Sequence, residues 1–156
     1  MRASVRAALR HGGREHLEVD VALVSDEELA SIHDRFLDDP SPTDVISFDL
    51  GEDGDGPAAE VYVSVDRAIE VARKRGSGAS DELRLYVVHG TLHLCGFDDR
   101  EPGERARMRR AESAVLRGLE RASTRSGTTP LERTNVPRGG TRARVPHRKT
   151  GKRSGR

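Results

Sequence analysis

The chain contains little of several residue types, and each shortage excludes a class of protein. One cysteine, Cys95, excludes an internal disulfide framework and fits a reducing compartment. Aromatic residues make up 3% and tryptophan is absent, so any core must be aliphatic and modest. No run approaches the roughly 18 consecutive apolar residues of a membrane span, and the start, MRASVRAALRHGG, lacks the apolar stretch of a secretory signal. We therefore expect a cytoplasmic protein with no membrane partner.

The net charge of +1 conceals two parts of opposite charge. Residues 121–156 carry eleven Lys or Arg and one acid, a net charge of +10, whereas residues 1–120 carry 16 basic and 25 acidic residues, a net charge of −9. From Ser123 onward no apolar periodicity remains, which predicts a domain over residues 1–122 and a disordered basic tail over 123–156. Such a tail is either a solvated extension without a dedicated role or a contact for nucleic acid phosphates.

Apolar periodicity and capping residues predict an α+β fold, a small mixed β-sheet covered by helices. Capping-box signatures stand at Ser25 (SDEE) and, more weakly, at Ser80 (SDEL). The second and third strands are expected to form a hairpin. The predicted elements, in the order α-β-α-β-β-α-α-α, are residues 1–11, 16–24, 25–36, 45–48, 61–63, 64–75, 80–96 and 101–119.

The segment HGTLHLCGFDD predicts a divalent-metal site at the end of a central helix. His89 and His93 are four residues apart, so on a helix they lie on one face and can converge on one ion. Gly96 lets the chain leave the helix through a left-handed turn, and Asp99 then returns over the two rings. Three N and O ligands with an open position are typical of a catalytic zinc site, because closed structural sites usually include cysteines.

The same segment has the skeleton H-x-x-x-H-x-x-G-x-x-ligand of some zinc proteases. Those enzymes need a Glu directly after the first His as a general base. Here that position is Gly90, which argues against a metalloprotease-like hydrolase.

Three segments resemble the YbeY family of bacterial single-strand-specific endoribonucleases. Residues 89–99 (HGTLHLCGFDD) are similar to the family signature H-G-x-L-H-L-x-G-[YF]-D-H. Residues 42–48 (PTDVISF) are similar to P-T-D-V-L-S-F, and residues 60–64 (EVYVS) to G-[DE]-I-x-I-S. The resemblance covers roughly residues 17–119 and leaves the tail outside it.

The resemblance implies a metal-dependent hydrolase of phosphodiester bonds that acts in ribosomal RNA maturation and ribosome biogenesis. It implies one Zn²⁺ per chain on His89, His93 and Asp99, with single-stranded RNA, rRNA and the ribosome or its small subunit as partners. The family usually has His where Asp99 stands, and a carboxylate is also a competent zinc ligand. A non-catalytic, metal-binding ribosome-assembly factor remains the alternative.

No catalytic side chain is fixed by the sequence, and a metal-bound water is the expected reactive group. The family places an Arg six residues before the Thr of its P-T-D-V segment, and here that position is Leu37. Arg35 is a candidate substitute, although two residues along a helix turn the side chain to roughly the opposite face. Asp98 and Glu112 are further candidates, each of which could equally be a helix cap or a surface carboxylate.

Overall fold

The order of helices and strands follows the predicted order. The computed structural model describes residues 1–38, 41–51 and 58–126, apart from the side chains of Leu37 and Ser126. The tail residues 127–156 lie outside the described residues. The elements are α1 (Arg2–Gly12), β1 (Val19–Val24), α2 (Asp26–Leu37), β2 (Val45–Asp49), β3 (Ala59–Ser64), α3 (Val65–Arg75), α4 (Ala79–Leu94) and α5 (Pro102–Ser126).

The sheet is mixed, as predicted, with the strand order β1-β3-β2. Strand β3 pairs in parallel with β1, where Val61 stands opposite Val21. It pairs antiparallel with β2, where Val61 stands opposite Ser47, and this is the predicted hairpin. Alternate residues of β3, namely Ala59, Val61 and Val63, are fully buried, because successive side chains of a strand point to opposite faces and one face meets the helices.

Serine side chains cap two helices, of which the Ser25 cap was predicted, and the cap predicted at Ser80 is wrong. Ser25 forms a complete capping box with Glu28, and Ser64 accepts a hydrogen bond from the amide of Arg67. Ser80 does not cap α4, because this helix begins at Ala79 and its N-cap is Gly78. The carbonyl of Gly78 already accepts the amides of Asp81 and Glu82, which places Ser80 inside the first turn.

Helix α4 occupies the centre of the fold and packs against α1, α3, α5 and two strands. It approaches the sheet closely at Gly90, whose carbonyl accepts a hydrogen bond from Ser47 Oγ at 2.9 Å. A Cβ at position 90 would lie 2.7 Å from Val45 Cγ2 and 2.8 Å from Val61 Cγ1. Only glycine therefore fits between this helix and the sheet.

The last helix is longer than the sequence pattern indicated. It begins at Pro102, which is tolerated in a first turn, and it continues past Leu119 to Ser126. The predicted tail boundary at Ser123 is therefore too early, because residues 123–126 are helical without any apolar periodicity. Within the described ranges no helix is both long enough and apolar enough to cross a membrane.

Replacing Gly90 by Ala tests the close contact between α4 and the sheet. We expect the G90A variant to lose about 1–3 kcal/mol of unfolding free energy, because overpacking forces backbone shifts. Chemical denaturation of the full chain measures this change. The matched control is G118A, since Gly118 lies within α5 with nothing near its Cβ position. That variant should be as stable as the parent or more stable by up to about 1 kcal/mol, and equal stability of the two variants would contradict the expectation.

Candidate metal centre

The three predicted ligands converge on one point at the C-terminal end of α4. The Nε2 atoms of His89 and His93 face each other at 3.0 Å. Asp99 lies 3.6 Å from His89 Nε2 through Oδ2 and 3.9 Å from His93 Nε2 through Oδ1. One ligand atom of each residue lies within 4.8 Å of the others, so a single ion can reach all three.

The loop that carries Asp99 is formed by the predicted glycine turn. Gly96 has a φ of 80°, in the left-handed region that suits glycine. The amide of Phe97 then donates back to the carbonyl of Leu92 at 3.1 Å, which closes the helix end. The carboxylate of Asp98 accepts the amide of Asp99 at 2.7 Å. Asp98 is thus engaged with the backbone of the turn and does not line the cleft described below.

Glu112 of α5 contacts the back of the first histidine ring. Its Oε1 lies 2.6 Å from His89 Nδ1. An ionised carboxylate can only accept, so Nδ1 donates, and a neutral His89 then carries its lone pair on Nε2, toward the other two ligands. Metal-binding histidines commonly have such a carboxylate partner, which fixes the tautomer and the ring orientation. The geometry therefore favours a positioning role for Glu112.

The two histidines have pKa values shifted in opposite directions. Burial lowers the pKa of His89, but the hydrogen bond and the charge of Glu112 outweigh it, so the pKa is raised overall. Burial and the nearby charge of His89 lower the pKa of His93. His89 is therefore the more basic ring, and His93 favours its neutral form, in which one ring nitrogen carries a lone pair. Both properties favour binding of a cation between the two rings.

The donor set fits a zinc ion. Two imidazole nitrogens and one carboxylate oxygen are ligands that Zn²⁺ accepts, and three protein ligands leave a position for another molecule. The side chains of His89, His93 and Asp99 are 21%, 31% and 43% exposed, so the centre is reachable from solvent. Cys95 is not part of the cluster, and burial raises the pKa of its thiol.

The metal cluster opens onto a cleft of about 610 Å³ that contains arginines which the sequence reasoning missed. The sequence feature that could have revealed two of them is the spacing of Arg105, Arg109 and Glu112, because residues at these intervals lie on one face of a helix. The polar and charged residues that line the cleft are Thr43, Asp44, Arg67, Arg75, Tyr86, His89, Asp99, Arg105, Arg109 and Glu112.

The sequence candidate Arg35 lies outside the cleft. Arg35 is exposed, and its guanidinium lies 5.3 Å from the centre of the Phe36 ring. It is not among the described residues that line the cleft. Leu37, which stands at that position of the sequence, ends α2. The hydroxyl of Thr43 donates to the carbonyl of Val45 at 3.1 Å and shapes the entry to β2.

Replacing Glu112 by Gln tests its role behind His89. We expect E112Q to bind zinc about 10–100-fold more weakly, because the ring loses the anionic partner that orients it and raises its basicity. Competition with a chromophoric chelator measures the affinity. The control is E120Q, which removes the same charge from an exposed position of α5. Equal zinc affinity of the two variants would count against the positioning role.

Comparison with known proteins identifies the family of this chain. Residues 2–120 match the family described as Endoribonuclease YbeY. The Endoribonuclease YbeY of Anaeromyxobacter sp. is 35% identical over 131 residues, which are 81% of this chain and 68% of the relative. That of Bacillus licheniformis is 35% identical over 130 residues, which are 75% of this chain and 82% of the relative.

A solved structure has a similar fold. The solution structure of TM1509 from Thermotoga maritima is similar with a TM-score of 0.51 and 28% sequence identity, over 85% of this chain and 89% of that chain. The family match covers all five helices and three strands of the described residues except the last turns of α5. The chain therefore belongs to the endoribonuclease YbeY family.

Proposed function

We propose that this protein is a zinc-dependent endoribonuclease that cleaves single-stranded RNA during ribosomal RNA maturation in the cytoplasm. The observation that carries the proposal is the cluster of His89, His93 and Asp99, which opens onto an arginine-lined cleft. Family membership supports the activity, since the relatives named above are endoribonucleases. The ribosome or its small subunit is the proposed partner, because it holds the rRNA substrate.

The roles of the chain's residues in this activity follow from their contacts. His89, His93 and Asp99 would hold the zinc ion, and Glu112 would fix the His89 ring from behind. Bound zinc supplies a Lewis acid that can polarise a phosphoryl oxygen or activate a nucleophile. The backbone hydrogen bonds of Asp98 keep the loop that carries Asp99 in place.

The packing at Gly90 argues against a peptidase. A zinc peptidase of the related sequence pattern uses a Glu at this position as its general base. Here a Cβ alone would meet Val45, Ser47 and Val61 at 2.8 Å or less. A longer acidic side chain has no room on this side of α4, so phosphodiester cleavage fits the site better than peptide hydrolysis.

Replacing His93 by Ala tests the enzymatic proposal. Because a direct ligand is lost, we expect zinc content to fall and RNA cleavage to drop by at least about 100-fold, beyond the loss typical of a ligand's hydrogen-bond partner. The assay follows a labelled single-stranded RNA, with zinc measured on the same samples. The control is H16A, which removes an exposed histidine outside the cleft. Equal cleavage by H93A and the parent would indicate a contaminating nuclease and favour a non-catalytic assembly factor.

Deleting the basic tail tests how a domain with a negative net charge binds RNA. Residues 127–156 carry nine basic residues and one acidic residue, and the remaining chain has a net charge of −7. We propose that the tail binds RNA or the ribosome through phosphates, so the deletion should weaken association and flatten its salt dependence by about 0.7 in logarithmic slope per lost phosphate contact. A salt titration of both proteins measures this. The same slope with and without the tail would contradict its role.

A further inference from the structure

The cleft beside the metal cluster presents guanidinium groups from two helices that both pack against α4. Arg105 and Arg109 stand one turn apart on α5, on the face that also carries Glu112. The contact of Glu112 with His89 turns this face toward the metal ligands. Arg67 of α3 lines the same cleft. Three positive charges therefore border the surface that continues from the ligand atoms.

These three arginines differ in the hydrogen bonds and ion pairs that they already form. Arg105 donates from Nη1 to the carbonyl of Asp99 at 3.1 Å and also to that of Arg100, so it braces the ligand loop. Arg109 is exposed and forms no ion pair with a carboxylate of the described residues. Among the residues that the structure describes, Arg67 pairs only with the half-exposed Glu70 at 3.5 Å, a contact that contributes little in water. Arg109 and Arg67 are thus available to an anion.

The fourth arginine of the cleft already forms an ion pair that stabilises the fold. Arg75 pairs with the buried carboxylate of Glu82 at 3.2 Å. Ser77 Oγ donates to the same carboxylate at 2.9 Å. This group holds α3 against the start of α4, so Arg75 is not counted as a ligand for substrate.

The acidic groups of the cleft do not cancel the positive charge of Arg67 and Arg109. Glu112 is engaged by His89 at 2.6 Å, and Asp99 faces the two histidines as a metal ligand. Asp44 is the remaining carboxylate on the lining. The guanidinium groups of Arg67 and Arg109 remain for an anion, and guanidinium groups match phosphate oxygens through paired N–H donors.

We infer that Arg67 and Arg109, with Arg105 beside them, form a clamp for a backbone phosphate of single-stranded RNA next to the phosphate at the metal centre. This inference rests on the proposed function, because the strand that reaches the metal centre must run along the same cleft. The clamp positions the substrate and takes no part in bond breaking. Its chemistry is sequence-independent, since phosphates carry no base information.

Single charge-removing variants of the zinc-loaded full chain test the clamp. R109Q and R67Q are compared with R110Q, which removes the same charge from an exposed α5 residue that does not line the cleft. Initial cleavage rates of a single-stranded RNA give KM and kcat. Anisotropy of a 2′-O-methyl oligonucleotide, checked for integrity after each titration, gives the affinity and its salt dependence.

We expect R109Q and R67Q to raise KM by about tenfold with a smaller change in kcat. Each should lower the logarithmic salt slope by about 0.7, the value for one single-strand phosphate contact. R110Q should match the parent in both measurements. If the KM values and slopes of R109Q and R67Q equal those of R110Q, the clamp is refuted. If binding shows the expected arginine dependence but H93A cleaves like the parent, the nuclease proposal fails and the clamp stands.

Discussion

The close contact of α4 with the sheet at Gly90 is the constraint on which the rest of the site depends. With no side chain between them, the helix backbone rests on Val45, Ser47 and Val61. Ser47 Oγ donates to the Gly90 carbonyl and fixes the rotation of the helix. This rotation sends the neighbouring His89 ring away from the sheet, toward α5 and the cleft. Gly90, which stands where a zinc peptidase of the related pattern has its Glu, is thus also the residue that sets the direction of the His89 ring.

The contact between Glu112 and His89 adds α5 to the site that α4 and the Asp99 loop form. Glu112 reaches from α5 to His89, while Met108, on the same side of α5, is buried beside Leu92 of α4. Apolar packing therefore sets the distance over which the carboxylate and the imidazole meet. This hydrogen bond depends on the apolar packing, because a partly buried carboxylate is stabilised only when its surroundings hold the geometry of its partner. The Asp99 loop is braced from the same helix through Arg105.

The sequence was sufficient for features that depend on neighbouring residues. The order of elements, the Ser25 capping box, the hairpin and the Gly96 turn were all predicted from local patterns. The convergence of His89, His93 and Asp99 could be predicted because one helix turn and one glycine turn place all three. The cap at Ser80 was wrong because Gly78 takes that place through backbone bonds alone.

Contacts between segments that are distant in the sequence could not be predicted from local patterns. Nothing near Arg67 in the sequence indicates that α3 and α5 line a common cleft. Glu112 was one of two candidate carboxylates until the packing of α5 placed it behind His89. The extension of α5 to Ser126 was missed for a different reason. Its last turns are exposed on all sides, so no apolar stripe marks them, although the helix continues.

That extension also makes α5 a rigid spacer. From Glu112 to Ser126 the helix advances about 21 Å, at about 1.5 Å per residue, and its end is the point from which the cationic segment departs. In the proposed function, the metal cluster and the start of that segment would be two RNA contacts separated by this length of helix. An RNA held by both would span several nucleotides between them. The length of its unpaired region, rather than its base identity, would then decide which substrates are selected, through the raised effective concentration that two linked sites give.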